Sequence, residues 1–287
     1  MSTHPRILPV PLSPVHRETV GSYLNRLADA NRLPVRYLAG LLGHNRHHRR
    51  DDNRTDHWTP RALLGLSALT GRAPAELVHA MPALAELSEG QRIGPRPSTG
   101  HGDALHRPAC RPCMARRGID GLVVRETLPH EAVCPRHHRW LLGDEQHLLR
   151  VLPDVRRANQ RHRRLTSRRR GSAPEQSYRT ARDSLLKWFH TAAETQLQQR
   201  WTDRIHLLGE DIYGDPLRPS PNRIEIATYP ETVILTSLLS SPHWRDHQES
   251  APEIARRFQL KAGSRELAAL QKLATSLRPR LSLSQSD

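Results

Sequence analysis

The sequence predicts a mainly α protein: helix-turn-helix-like hairpins, a small module held by three cysteines and a histidine, and a C-terminal helical domain. Three observations carry this. Apolar residues recur at three- and four-residue spacing over most of the chain. The only three cysteines fall in one short stretch with a histidine at matching spacing. Short Pro- and Gly-containing breaks separate the helical runs.

Residues 1–19 carry Pro5, Pro9, Pro11 and Pro14 and are expected to be extended. A helix follows with Val20, Tyr23, Leu24, Leu27 and Ala28 on one face. Asn31-Arg-Leu-Pro34 breaks it. A second helix places Tyr37, Leu38, Leu41 and Leu42 on its apolar face and ends at Gly43. Residues 44–57 are polar and read as a solvated loop; His44, His47 and His48 there have no spaced cysteine or carboxylate partner. Thr59-Pro60 supplies an N-cap and a first-turn proline for the next helix. It carries Leu63, Leu64, Ser67 and Ala68, then breaks at Thr70–Pro74 before a helix through Leu77, Val78 and Met81. At an offset of forty, Leu24 matches Leu64, Ala28 Ala68, Arg32 Arg72, Pro34 Pro74 and Tyr37 Leu77. The unit of helix, turn, helix is therefore repeated, a layout shared by DNA-reading hairpins and by plain helical pairs.

Residues 88–107 read as a linker into the module at 108–152. Cys110-Arg-Pro-Cys113 and Cys134-Pro-Arg-His137 are two knuckles of two ligands each. Thiolates with one imidazole suit a tetrahedral Zn2+ ion, one per chain and structural. An odd cysteine count argues against a disulfide framework. His138 and His106 are alternative fourth ligands. Gly121–Leu128 is β-branched and reads as a short strand; Trp140-Leu141-Leu142 reads as an apolar anchor over the site.

Beyond the module, Arg156, Arg157, Arg161, Arg163, Arg164, Arg168, Arg169 and Arg170 crowd into one segment. Such a run repels itself, so 153–174 is expected to be an Arg-rich linker acting as a phosphate-binding arm. The domain at 175–287 is expected to hold a helix running toward Trp201, a loop at 209–222, a short helix starting at Pro230, and a final pair divided by Gly263. The net charge of +15 points to a polyanionic partner. No apolar run long enough for a membrane span exists in the sequence, and a cytoplasmic setting is expected.

Two stretches resemble the TniQ family. One is Leu8-Pro-Val-Pro11, Glu18, Ser22-Tyr-Leu24, Arg26-Leu-Ala28, Asn31 and Leu38. The other is the module with Cys134-Pro-Arg-His137 and Leu141-Leu142 behind it. The resemblance covers about residues 7–143. It implies a target-selection adaptor for transposition that contacts DNA, RNA or an RNA-guided complex. It also implies recruitment of an AAA+ regulator and its transposase in a bacterial, nucleoid-associated setting; a homodimer is compatible with it. Two departures stand out: no second Cys-x2-Cys follows, and His138 stands where a glycine often follows the last ligand. The competing class is a zinc-containing DNA-binding transcription regulator. An enzyme is not expected, because no Walker loop, nucleophile elbow or carboxylate trio is present.

Overall fold

The computed structural model describes residues 6–43, 58–87, 105–143, 145–168, 173–191, 195–209, 219–241, 251–261 and 263–276. The described residues are mainly helical, with one small antiparallel sheet. They fall into two compact units that divide between Thr127 and Leu128. The polar insert at 44–57 lies outside the described residues.

In the first unit, α1 (Val20–Ala30) and α2 (Val35–Leu41) form one hairpin, and α3 (Pro60–Thr70) and α4 (Pro74–Ala80) the other. Thr19 caps α1 by accepting from the Ser22 amide, and Thr59 caps α3 by accepting from the Ala62 amide. Gly43 and Gly71 take positive φ where α2 and α3 end, as stop positions require. The core joins Tyr23, Leu27, Leu38, Leu66, Leu77, Met81 and Leu84.

The repeat is real in its layout but slips by one. α1 and α3 start forty residues apart, whereas α2 and α4 start thirty-nine apart. The second turn is one residue shorter, so the buried partner of Leu77 is Leu38, and Tyr37 is exposed. Leu64 is likewise exposed, at 61%; the buried face of α3 is Ala62, Leu63, Leu66 and Leu69. The sequence periodicity could not choose between adjacent leucines; the facing helix does.

Glu18, fully buried, ties this unit together. Its carboxylate accepts from Arg26 Nε and Nη2 at 2.8 and 2.7 Å, from Ser22 Oγ at 2.9 Å and from the Val15 amide at 2.8 Å. Ser22 Oγ in turn accepts from the Val124 amide. The extended N-terminal segment is pinned by Asn31, which exchanges two hydrogen bonds with the Val10 backbone, and by Tyr23, whose hydroxyl donates to the Leu12 carbonyl at 2.8 Å. β1 (Leu105–Pro108) pairs antiparallel with β2 (Val124–Thr127), with Leu105 opposite Thr127. The strand expected within 121–128 is therefore present, and its partner takes three residues from the stretch read as linker. A short α5 (Arg111–Ala115) follows β1. Val15, Ala109, Met114 and Val123 fill a small core beside it.

In the second unit, α6 (Pro153–Arg168) and α7 (Ala173–Thr191) pack on α9 (Pro221–Leu239), as does α8 (Gln196–Leu207). α10 (Ala251–Phe258) and α11 (Arg265–Ser276) complete it, separated by Gly263 at φ +76° as expected. Two expectations are corrected here. The arginine segment is not an unstructured linker over 153–168 but helix α6. Its Val155, Ala158, Asn159 and His162 are buried, and four of its arginines face solvent on the other sides. Asn159 Nδ2 donates to Tyr229 Oη at 3.0 Å, and His162 Nδ1 lies 2.9 Å from the same oxygen. A buried polar anchor offsets the repulsion that composition alone forecasts. Second, Pro230 does not start a helix; α9 begins at Pro221 and Pro230 sits buried in its middle. The apolar and polar groups around it supply packing that outweighs one missing N–H.

α9 also carries Glu231, nearly fully buried. It accepts from Arg204 Nη1 and Nη2 at 2.7 and 2.9 Å and from Trp201 Nε1 at 3.1 Å. Arg204 Nε donates onward to Asp154 at 2.7 Å, joining α6, α8 and α9. Among the described residues no helix is long and apolar enough to cross a membrane.

Two predictions follow from the first unit's polar core. Glu18→Ala strands the Arg26 guanidinium in a buried site and should cost about 3–5 kcal/mol in denaturant unfolding. Burial pushes the Tyr23 hydroxyl up to about 12, with Arg72 and Arg26 opposing. Its folded value lies above its unfolded value of about 10. The stability it contributes is therefore whole below about pH 10 and is lost as pH rises through about 12. Melting curves between those values should fall for the wild type and flatten for Tyr23→Phe.

Candidate metal centre

Each knuckle is built by local backbone geometry. β1 delivers the chain to Ala109, whose amide donates to the Val123 carbonyl at 2.7 Å. Cys110 is the residue before α5, and Pro112 sits in its first turn. The Met114 amide donates to the Cys110 carbonyl at 3.0 Å. Cys110 and Cys113 are then one helical turn apart and lie on the same side. Gly118, at φ +68°, lets the chain turn back after α5.

The second knuckle is a tight hairpin. Val133 bridges Trp140, the Cys134 amide donates to the Arg139 carbonyl at 2.8 Å, and the His138 amide donates to the Cys134 carbonyl at 2.9 Å. The His137 amide points at Cys134 Sγ, 3.5 Å away. His138 has φ +51°, the left-handed region that a glycine enters without cost. That is the physical reason a glycine suits the position after the last ligand. Trp140 packs edge-on against Tyr229 at 5.0 Å between centroids and is fully buried, with Leu141 nearly so. The expected apolar anchor is therefore present, though it belongs to the helical core rather than to a lid.

The structure brings Cys110, Cys113, Cys134 and His137 into one group whose ligand atoms all lie within 4.8 Å of one another. Cys134 Sγ is 3.8 Å from His137 Nδ1. A tetrahedral ion with sulfur at about 2.3 Å and nitrogen at about 2.0–2.1 Å sets that edge near 3.6 Å. Cys110 and Cys134 are buried, Cys113 and His137 half-buried. The donor set fits a metal: the four groups could fill a tetrahedral shell, and no carboxylate joins them among the described residues. The two alternative ligands go elsewhere. His138 Nε2 lies 3.3 Å from Arg156 Nη2, and His106 is exposed on β1 opposite Glu126.

Residues 9–141 match the family model described as TniQ. This part of the chain is a TniQ domain. All four ligands lie inside it, as do Glu18, Ser22, Tyr23, Arg26 and Asn31, whose hydrogen bonds hold its N-terminal segment. Neither curated proteins nor solved structures yield a match to the chain. Of the arginines singled out from the sequence, Arg157, Arg161, Arg163 and Arg164 are exposed on α6 and Arg156 is half-buried. Arg168 ends α6, and Arg169 and Arg170 lie outside the described residues. All eight fall beyond the TniQ domain.

Protein purified under reducing conditions is expected to carry one metal ion per chain. Elemental analysis of Cys134→Ala should show that ion lost, whereas His138→Ala and His106→Ala keep it. Retention of a full equivalent by Cys134→Ala would remove the ligand assignment.

Proposed function

We propose that this chain is a non-enzymatic adaptor in transposition, which holds DNA and recruits an AAA+ ATPase and its transposase. The observation that carries the reading is the TniQ domain with a complete Cys3His group inside it. In this reading the group holds one structural zinc ion. Three thiolates and an imidazole match the preference of that ion, and four protein ligands leave no open position for a water. Cys110, Cys113, Cys134 and His137 would hold it, and its chemistry is to fix the knuckles. Removal of a structural zinc costs folding free energy directly, so chelation should loosen the module at 108–152.

The division of labour follows the charge. Residues 1–87 form the helical recognition region, and the solvated arginines of α6 supply phosphate contacts that position the protein on nucleic acid. Such contacts carry no sequence information, so selection of the target comes from the helical hairpins or from a partner. An RNA-guided complex is one such partner, and self-association into a homodimer is compatible with the adaptor role. The setting is the bacterial cytoplasm, on the nucleoid.

The test uses the purified full chain with a transposition AAA+ ATPase from the same host and supercoiled target plasmid. Retention of the ATPase on DNA should rise several-fold when the chain is added. The chain alone should leave the plasmid intact in magnesium, manganese or zinc. Metal-dependent nicking that disappears with a single carboxylate substitution would overturn the adaptor reading in favour of a nuclease. DNA binding with no gain in ATPase retention would favour a transcription regulator instead.

A further inference from the structure

α6 and α10 face each other across a cleft of about 490 Å3 in the second unit. Arg161 and Arg164 of α6 line it together with Arg256 and Arg257 of α10, and Leu165, Val233 and Ile234 give it an apolar floor. Neither Arg256 nor Arg257 stands out in the sequence, because their neighbourhood is not rich in arginine; the fold adds them to the α6 pair. The two α10 side chains are held in place. Arg256 Nε and Nη2 donate to Glu253 at 2.8 and 2.6 Å, and Arg257 Nη1 donates to Ser237 Oγ at 3.1 Å. Glu253 keeps its charge far into acid, its carboxyl lowered to about 2 by the hydrogen bonds from Arg256 and Arg257. Among the described residues neither Arg161 nor Arg164 has an acidic partner within ion-pair distance. The cleft lining thus carries four arginines, of which the α10 pair is matched by the single carboxylate of Glu253.

We propose that this cleft binds a nucleotide unit of a single nucleic-acid strand, with its phosphate on the arginines and its base on the apolar floor. The proposal rests on the nucleic-acid reading above and names a site within it, outside the TniQ domain. Guanidinium forks match phosphate oxygens in pairs, and an ordered pair loses less freedom on binding than a free arm does. The volume is that of a small-molecule pocket, within the range of about 300–1,000 Å3, and excludes a duplex. Leu165 and Ile234, both half-buried, offer a ring an apolar surface beside the charge, backed by the buried Val233. An acidic peptide would use the rim but leave the floor unused.

The experiment measures fluorescence anisotropy of a labelled oligothymidylate with the full chain. Three double variants are compared: Arg161→Gln with Arg164→Gln, Arg256→Gln with Arg257→Gln, and Arg157→Gln with Arg163→Gln. The first two should each weaken binding about tenfold, as loss of charge-assisted hydrogen bonds predicts. The third removes two of the positioning phosphate contacts proposed above, outside the cleft, and should weaken binding less than either cleft pair. Thermal melts confirm that each variant is folded, and Arg256→Lys is a second, milder substitution should the α10 pair melt early. Free thymidine monophosphate should displace the strand, and polyglutamate should not. Displacement by polyglutamate alone would overturn the proposal in favour of an acidic peptide. Equal weakening by all three variants, or none from the α10 pair, would reduce the cleft to part of a diffuse arginine surface while leaving DNA binding itself intact. No binding by any form would remove both readings.

Discussion

A carboxylate with no access to water must be matched by donors, and Glu18 is matched by four. Its partners come from α1 and from the segment that precedes it. Through Ser22 the same cluster reaches the Val124 amide at the start of β2. The extended N-terminal stretch, the first hairpin and the sheet are therefore positioned by one buried ion pair and its hydrogen bonds. Replacing such a cluster with apolar groups can leave stability unharmed, but breaking it in half leaves a buried charge. Among the residues that carry the TniQ resemblance, Glu18, Ser22, Tyr23, Arg26 and Asn31 each meet a backbone group or a charge, while Leu24, Leu27, Ala28 and Leu38 fill the core.

The second unit solves the same problem around α9. Glu231 and Arg204 are paired in the interior, and Asp154 extends the pair to the first turn of α6. Tyr229, two residues before Glu231, accepts from Asn159 and meets His162 on the same helix. α6 is thereby anchored at both its start and its middle. With its buried face fixed, Arg157, Arg161, Arg163 and Arg164 project from a helix rather than from a loose tail. Two of them, Arg161 and Arg164, line the same cleft as Arg256 and Arg257 of α10.

The Cys3His group is assembled on a different principle. Each knuckle is a turn of local hydrogen bonds that presents two ligands three residues apart, and little else of the fold enters its geometry. Cys110 leads into a helical turn, Cys134 into a hairpin, and both cysteines are buried. Thiolates brought this close together repel one another, and a cation bound among them would offset that repulsion.

By itself the sequence determined what depends on short spacing. Two candidate ligand pairs three residues apart, Thr59 and Pro60 at a helix start, Gly43 after a helix and Gly263 between two helices are all set by one or two turns of backbone. Tertiary structure alone decided what depends on the residue opposite. Leu38 rather than Tyr37 is buried because of the helices packed against α2, and it matches Leu77 because the second hairpin has a shorter turn. Residues 153–168 are helical because His162 and Asn159, which no apolar pattern marks, meet Tyr229 some seventy positions later. Pro230 lies inside a helix because its neighbours are packed on several sides, and Arg256 and Arg257 join Arg161 and Arg164 only through packing. Local propensity is written in adjacent residues, but burial is a property of pairs, and those pairs are far apart in the chain.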